Sequence, residues 1–509
     1  MGEPQDTIMD NPLYDSLFGK YAGADTIFIR QTDGRIVTHG QFVDLAARLA
    51  NALTSLGLTK GDRVAVQIEK STEAIAIYAA CARAGLIFLP LNVAYTQSEV
   101  QYFLEDSGAR VFVCDGKKLA SFADQGSNGI HIQTLNEDGT GTLMDLAASQ
   151  TTHFDTVAAE PDDLAAFLYT SGTTGRSKGA MLSQGNLLSN AQTLAAFWQY
   201  SERDVLLHAL PIFHTHGLFV AINICLLSGA TMIMMPRFDV KTMIEHLPKA
   251  TSLMGVPTFY TRLLGEEGFT RSLVADMRLF ISGSAPLLAE THIEFEQRTG
   301  HRILERYGMT ETNMNTSNPY DGERRAGTVG FPLPGVELKV VDPETGLECP
   351  TDEIGVLEVR GPNVFKGYWN MPEKTREELR EDGFFITGDL GKIDPDGYVH
   401  IIGRGKDLII SGGFNIYPKE IELLLDEQPN VVESAVIGVP HPDFGETPVG
   451  VLVRGDAEPD IEAILKSVGE NLARFKHPRK LIVVDELPRN TMGKVQKNRL
   501  RDEYNQLFS

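Results

Sequence analysis

The sequence predicts an α/β protein in two parts, a large N-terminal domain of α/β layers over residues 1–405 and a small α+β domain over 406–509. Three observations carry this prediction. The 509 residues exceed what one ordinary core organises. Short β-branched or aromatic runs alternate with helical patterns through the first two thirds of the chain. Between about Gly335 and Ile402 that rhythm gives way to short strands and turns, and a compact α/β pattern resumes after the basic, glycine-containing stretch Gly403-Arg404-Gly405-Lys406-Asp407.

In chain order, Asp62–Ile68, Gly85–Leu91 and Arg110–Asp115 read as strands bounded by Gly, Pro or Asp, with helices over Phe42–Leu56 and Ser71–Ala84 between them. Such alternation favours largely parallel sheets. The apolar stretch Ala221–Met235 contains Asn223, Ser228, Gly229 and Thr231, so it reads as a buried helix followed by a buried strand rather than a membrane span. Asp342–Gly346 and Asp394–Gly397 are hairpin signals, and residues 335–402 form a β-rich subdomain closing the large domain. In the last hundred residues the pattern gives strand Leu408–Ile410, helix Pro418–Asp426, strands Val432–Val439 and Thr447–Val453, helix Ile461–Leu472 and strand Leu481–Val484.

The formal net charge of -22 opposes nucleic acid and anionic membranes, so an anionic substrate must meet local positive charge. The four cysteines form no C-x-x-C pair, and the N-terminus has no signal-like segment, which predicts a reduced, cytoplasmic setting.

The motif richest in chemistry is Thr170-Ser171-Gly172-Thr173-Thr174-Gly175-Arg176-Ser177-Lys178-Gly179, after the apolar run Leu164–Tyr169. Its glycines allow close backbone approach, its hydroxyls donate, and Lys178 supplies charge, a combination suited to polyphosphate. The spacing does not fit G-x-x-x-x-G-K-[ST], which disfavours a P-loop kinase or ATPase. His214 and His216 lack further nearby ligands for zinc.

The loop resembles the signature of the adenylate-forming superfamily of acyl-CoA synthetases, peptide-synthetase adenylation domains and luciferases. Further matches follow in that superfamily's order: Gly283-Ser284-Ala285-Pro286, Glu305-Arg306-Tyr307-Gly308-Met309-Thr310-Glu311, Thr387-Gly388-Asp389, Gly403–Asp407, Gly412–Glu422 and Pro488–Lys494. The resemblance implies ATP, Mg²⁺ and coenzyme A as reactants. It puts Tyr307 against adenine with Gly283–Pro286 on the other side, Thr310 at the α-phosphate, Glu311 on the metal, and Asp389 with Arg404 on the ribose. Read alone, Asp389 is a turn residue.

Lys494 takes the place of the lysine that stabilises charge in the adenylation transition state, and in relatives this lysine is reversibly acetylated. The resemblance also implies a mobile C-terminal domain hinged at Lys406, which brings Gly412 and Gly413 to a pantetheine tunnel in the second half reaction. Arg474 and Lys476 are candidates for CoA phosphates.

For the acid, Pro211–Gly217 matches the superfamily's Phe-His segment. His214 replaces the aspartate that amino-acid-activating domains use, and is expected at the mouth of the acyl pocket. Arg262, in a helix starting near Val256, suits a second carboxylate, with Ser284 adding a hydroxyl and Thr215 and Met314 limiting room. The assembly is most similar to the malonyl-CoA synthetases within the superfamily, implying malonate or methylmalonate. A synthetase for another short or medium acid and a catalytically silent nucleotide-binding regulator are the competing readings. A monomer or weak homodimer is expected.

Overall fold

In a computed structural model, residues 10–123, 129–170, 177–411, 414–442, 444–472, 474–490 and 493–508 are described. They divide into two compact units. The first comprises the described residues up to Glu337 together with Val359–Phe385, and the second comprises Leu338–Glu358 with the described residues from Ile386 onward.

Two sheets organise the first unit. One runs in the order Phe331–Pro332, Asn313–Ser317, Leu304–Met309, Leu279–Ser282, Ser252–Gly255, Val205–His208, Thr231–Met234, Ile27–Gln31 and Ile36–Thr38. The other runs His131–Thr134, Val111–Cys114, Arg63–Gln67, Ile87–Pro90, Leu164–Thr170 and Lys178–Ser183. Their interior strands pair in parallel, while hairpins add antiparallel strands at the edges. Helices begin where the sequence offers caps: capping boxes at Thr38/Gln41, Thr96/Glu99 and Ser183/Asn186 satisfy orphan N–H groups. Helix Thr72–Ala84 stops at Gly85, whose φ of 66° costs an L side chain energy that glycine does not incur.

The apolar stretch after His214 departs from a plain helix. Residues His216–Ile222 form π-helical turns before helix Asn223–Ser228 and the strand Thr231–Met234. No helix among the described residues is long and apolar enough to cross a membrane.

The second unit holds the strand Val399–Arg404 and, from Ile386 onward, the strand Phe385–Ile393, paired as an antiparallel hairpin around Asp394–Gly397. Its other sheet is built on the long hairpin Val431–His441 with Gly445–Arg454, and Lys480–Val484 adds in parallel. One face buries Val436, Leu452, Ile421, Leu425 and Ile464, and the other buries Ile437, Val439, Val451 and Leu500. A period of two lays alternate residues on opposite faces, so the sheet needs cover on both. Helix Lys497–Tyr504, which the sequence pattern did not suggest, covers the second face through Leu500.

Candidate active site

The loop Ser171–Arg176 lies outside the described residues, as do Gly412 and Gly413. Its anchors are described: Thr170 ends one strand, Lys178 begins the next, and the two are register partners in an antiparallel pair. The loop thus connects a hairpin, and Thr170 donates its hydroxyl to the Lys178 carbonyl at 3.4 Å. The Lys178 ammonium sits 3.2 Å from both oxygens of Glu378 and 4.2 Å from the Tyr368 ring centroid. The Tyr368 hydroxyl lies 2.6 Å from Glu378 Oε2 and 3.0 Å from Glu311 Oε1. Lysine, two carboxylates and a phenol thereby form one connected group.

The antiparallel pair Leu304–Met309 and Asn313–Ser317 presents Tyr307, Thr310 and Glu311 at or beside its turn. Gly308 is required there, because a Cβ would stand 1.8 Å from the Asn313 carbonyl oxygen. Glu311 is buried and offers hard oxygen, which suits Mg²⁺, an ion that keeps waters and substrate phosphates as its remaining ligands. No cluster of three or more His, Cys, Asp or Glu among the described residues could hold a metal by itself. Glu305 faces inward, paired with His292 at 3.1 Å, and burial raises its carboxyl against that partner. Met309 and Tyr307 lie near each other, with sulfur 4.0 Å from the phenol oxygen.

Arg306 is the most unusual residue of this strand. Its side chain is buried, the residue being 3 % exposed, and its Nε and Nη2 make no hydrogen bond among the described residues. The guanidinium lies against the α-carbon of Gly283, where a Cβ would come within 2.3 Å of Cζ. Burial brings its pKa down to about 9, which still leaves it charged at neutral pH. His216 shares a hydrogen bond with the Ser284 hydroxyl at 3.2 Å between Nδ1 and Oγ, while its Nε2 has no partner among the described residues. Burial first, and Arg306 next, hold His216 well below the usual imidazole range. His214 Nε2 is likewise buried without a partner among the described residues, and burial brings that ring down to about 4. Thr215 donates its hydroxyl to Asn313 Oδ1.

Two residues that receive side chains from this segment, Ser284 at φ 69° and Asn313 at φ 51°, adopt left-handed backbone that non-glycine residues rarely take. Met314 is buried on the same strand as Asn313. Ala285 and Pro286 continue from Ser284. The sequence reading grouped Arg306 with the nucleotide residues; the structure sets its guanidinium against Gly283, with His216 and Tyr260 near enough to interact with it electrostatically. No pattern in the strand Leu304–Met309 marked Arg306 beforehand, since Leu304, Glu305, Arg306 and Tyr307 are all buried. Arg262, by contrast, is exposed in helix Pro257–Leu264, with its guanidinium 5.7 Å from the Phe238 ring centroid. It makes no hydrogen bond or ion pair with Ser284, His214 or His216.

In the second unit, Asp389 and Arg404 are register partners on adjacent strands and form an ion pair at 2.6 Å. Lys406 is exposed in the turn Gly405–Asp407, and Asp407 pairs with Arg501 at 2.6 Å. Lys494 is open to solvent, yet its ammonium is crowded by protein atoms. Desolvation, helped by Arg404 and Lys406 against Asp389 and Asp407, brings it down to about 8. Of the candidates for CoA phosphates, Arg474 is exposed, and Lys476 is committed to Glu420 at 2.6 Å.

Tyr307 before the buried Glu311 in the first unit, and the paired Asp389 and Arg404 in the second, are the residue types that nucleotide chemistry uses. Residues 19–369 match the AMP-binding enzyme family and residues 420–494 match its C-terminal domain. The chain belongs to the AMP-binding enzyme family. It is 32% identical over 527 residues to a malonate–CoA ligase of Arabidopsis thaliana, covering 94% of this chain and 86% of that one. A long-chain-fatty-acid–CoA ligase of Bacillus subtilis is 33% identical over 92% of this chain and 90% of its own. Among solved structures, ATP-bound MatB from Rhodopseudomonas palustris is 56% identical, with a TM-score of 0.97 over 98% of this chain and 100% of that chain.

Proposed function

We propose that this chain is an ATP-dependent, AMP-forming acid–thiol ligase that converts malonate, and methylmalonate with it, to the CoA thioester through an acyl-adenylate. The observation that carries the choice of acid is the buried Arg306 guanidinium, with two nitrogens unpartnered among the described residues, against Gly283 and within electrostatic reach of His216, whose ring shares a hydrogen bond with Ser284. A buried cation without an anion is costly, and a ligand carboxylate compensates it. A fatty or aryl tail would leave those polar atoms desolvated and unpaired. The identity to a malonate–CoA ligase and to MatB supports the same reading.

In the first half reaction one carboxylate oxygen of the diacid attacks the α-phosphorus of ATP and pyrophosphate leaves. Lys178 and the loop it closes hold the leaving group, Tyr307 stacks on adenine, and Thr310 donates to the α-phosphate. Arg306 holds the distal carboxylate, with Arg262 as a second, exposed cation, and Thr215 and Met314 limit the space around the acid. Mg²⁺ bound at Glu311 would neutralise phosphate charge. Asp389 and Arg404 serve the ribose, and Lys494 stabilises the charge that builds on the phosphoryl oxygens. The CoA thiolate then attacks the acyl carbon and AMP departs. Acetylation of Lys494 would remove its charge and with it the first half reaction.

AMP release measured over malonate, methylmalonate, acetate, octanoate and benzoate tests this reading. Malonate is expected to exceed acetate in kcat/KM by at least about 100-fold, the worth of two charge-assisted hydrogen bonds. A preference for a monocarboxylate would overturn it.

A further inference from the structure

A lysine outside every motif stands behind the segment that carries His214, Thr215 and His216. Lys70 lies between the strand Arg63–Gln67 and the helix Thr72–Ala84, and it is 5 % exposed. Its ammonium donates to the carbonyl oxygens of His208 at 3.1 Å and Leu210 at 2.9 Å, and it lies 3.2 Å from His208 Nδ1.

The hydrogen count fixes the direction of the last bond. His208 Nε2 is 2.8 Å from the Gly217 carbonyl oxygen, which can only accept, so the proton of that ring is on Nε2. Nδ1 is then an acceptor, since burial first and Lys70 next bring the ring down to about 3 and keep it neutral. Lys70 therefore donates three hydrogen bonds, which takes an ammonium. Burial alone pushes Lys70 well below the ordinary lysine value, but three aligned acceptors favour the charged form. All three hydrogens are used within the protein, so Lys70 has none left for a substrate.

The same contacts close a turn. Lys70 grips Leu210 directly and Gly217 through His208, and the residues between them are Pro211–His216. Gly217 tolerates no side chain, because a Cβ would stand 2.0 Å from the Pro211 carbonyl oxygen. The segment is thus pinned at both ends by one buried cation from the neighbouring sheet.

We propose that Lys70, acting through His208, is a positioning residue for acid binding: it holds the Leu210–Gly217 turn so that His214, Thr215 and His216 face the acid. The inference rests on the proposed role of that turn and adds a residue that touches neither acid nor nucleotide.

The test uses the full-length enzyme with Lys70→Met, His208→Ala and His208→Gln. Acid preference of the wild type is measured first and tests the functional reading by itself. KM values are then read with whichever acid the wild type prefers, so the two ideas fail separately. Lys70→Met and His208→Ala are expected to raise KM for the acid about tenfold or more while KM for ATP stays within about twofold. His208→Gln, whose amide oxygen can accept from Lys70 while its N–H donates toward Gly217, is expected closer to wild type. Equal rises in both KM values, an acid KM within about twofold of wild type in a folded variant, or failure of both Lys70→Met and His208→Ala to fold would overturn the proposal in favour of a purely structural role.

Discussion

Replacing Arg306 with methionine separates substrate binding from stability, because the two effects have opposite signs. The guanidinium is buried, with Nε and Nη2 unpartnered, and it lies against Gly283 with no carboxylate paired to it among the described residues. Without acid it carries an uncompensated desolvation cost, and methionine of similar length removes that cost. The variant is therefore expected to gain about 1–2 kcal/mol in unfolding free energy, at the lower end of what replacing buried charge by apolar volume yields. With the diacid present the sign reverses. Charge-assisted hydrogen bonds are worth roughly 1.5–3 kcal/mol each, and two of them, discounted for non-additivity, give about 3–4 kcal/mol. The expected loss in kcat/KM for malonate is then roughly 200- to 1,000-fold, with KM for ATP nearly unchanged. Thermal denaturation without ligands gives the first quantity, and AMP release at varied malonate gives the second. A variant that melts lower and keeps malonate turnover would refute both parts, because the guanidinium would then be a satisfied structural group.

Lys494→Ala should lose adenylate formation while still converting pre-made acyl-adenylate and CoA to thioester, measured as separate half reactions; loss of both in a folded variant would count against the assignment. Since the ammonium is the working form and its pKa is brought down to about 8, kcat/KM for adenylation should fall as pH rises through about 8 and hold below it, a profile that reports the free enzyme. Its disappearance in Lys494→Arg would identify the group. Gly308→Ala forces a Cβ to within 1.8 Å of the Asn313 carbonyl and should cost at least about 1–3 kcal/mol of stability, read by denaturant unfolding; an unchanged midpoint would show that the turn can relax.

Much of the fold was legible because local chemistry and global packing agree. Helix Pro418–Asp426 falls at the predicted bounds, and strand Val431–His441 extends the predicted one at both ends. Helix Lys497–Tyr504 was not legible, since its pattern is dominated by charge and it is recruited by the sheet face that Leu500 covers. That Thr170 and Lys178 are partners in an antiparallel pair was not legible, because register depends on the strands that meet in the sheet.

By itself the sequence determined the order of motifs along the chain, and with it the superfamily and the residue types a nucleotide needs. Those are local properties: a glycine-rich loop, an aromatic residue before Gly308, a carboxylate at Glu311. Only the tertiary structure decided which cation is buried. Arg262 and Arg306 are equal as letters, yet one is exposed on a helix and the other is buried against Gly283. Desolvation is a property of the surroundings, and residues distant in the chain assemble those surroundings. The same holds for Lys70, whose three acceptors lie about 140 positions away and meet it only when the two sheets of the first unit pack together.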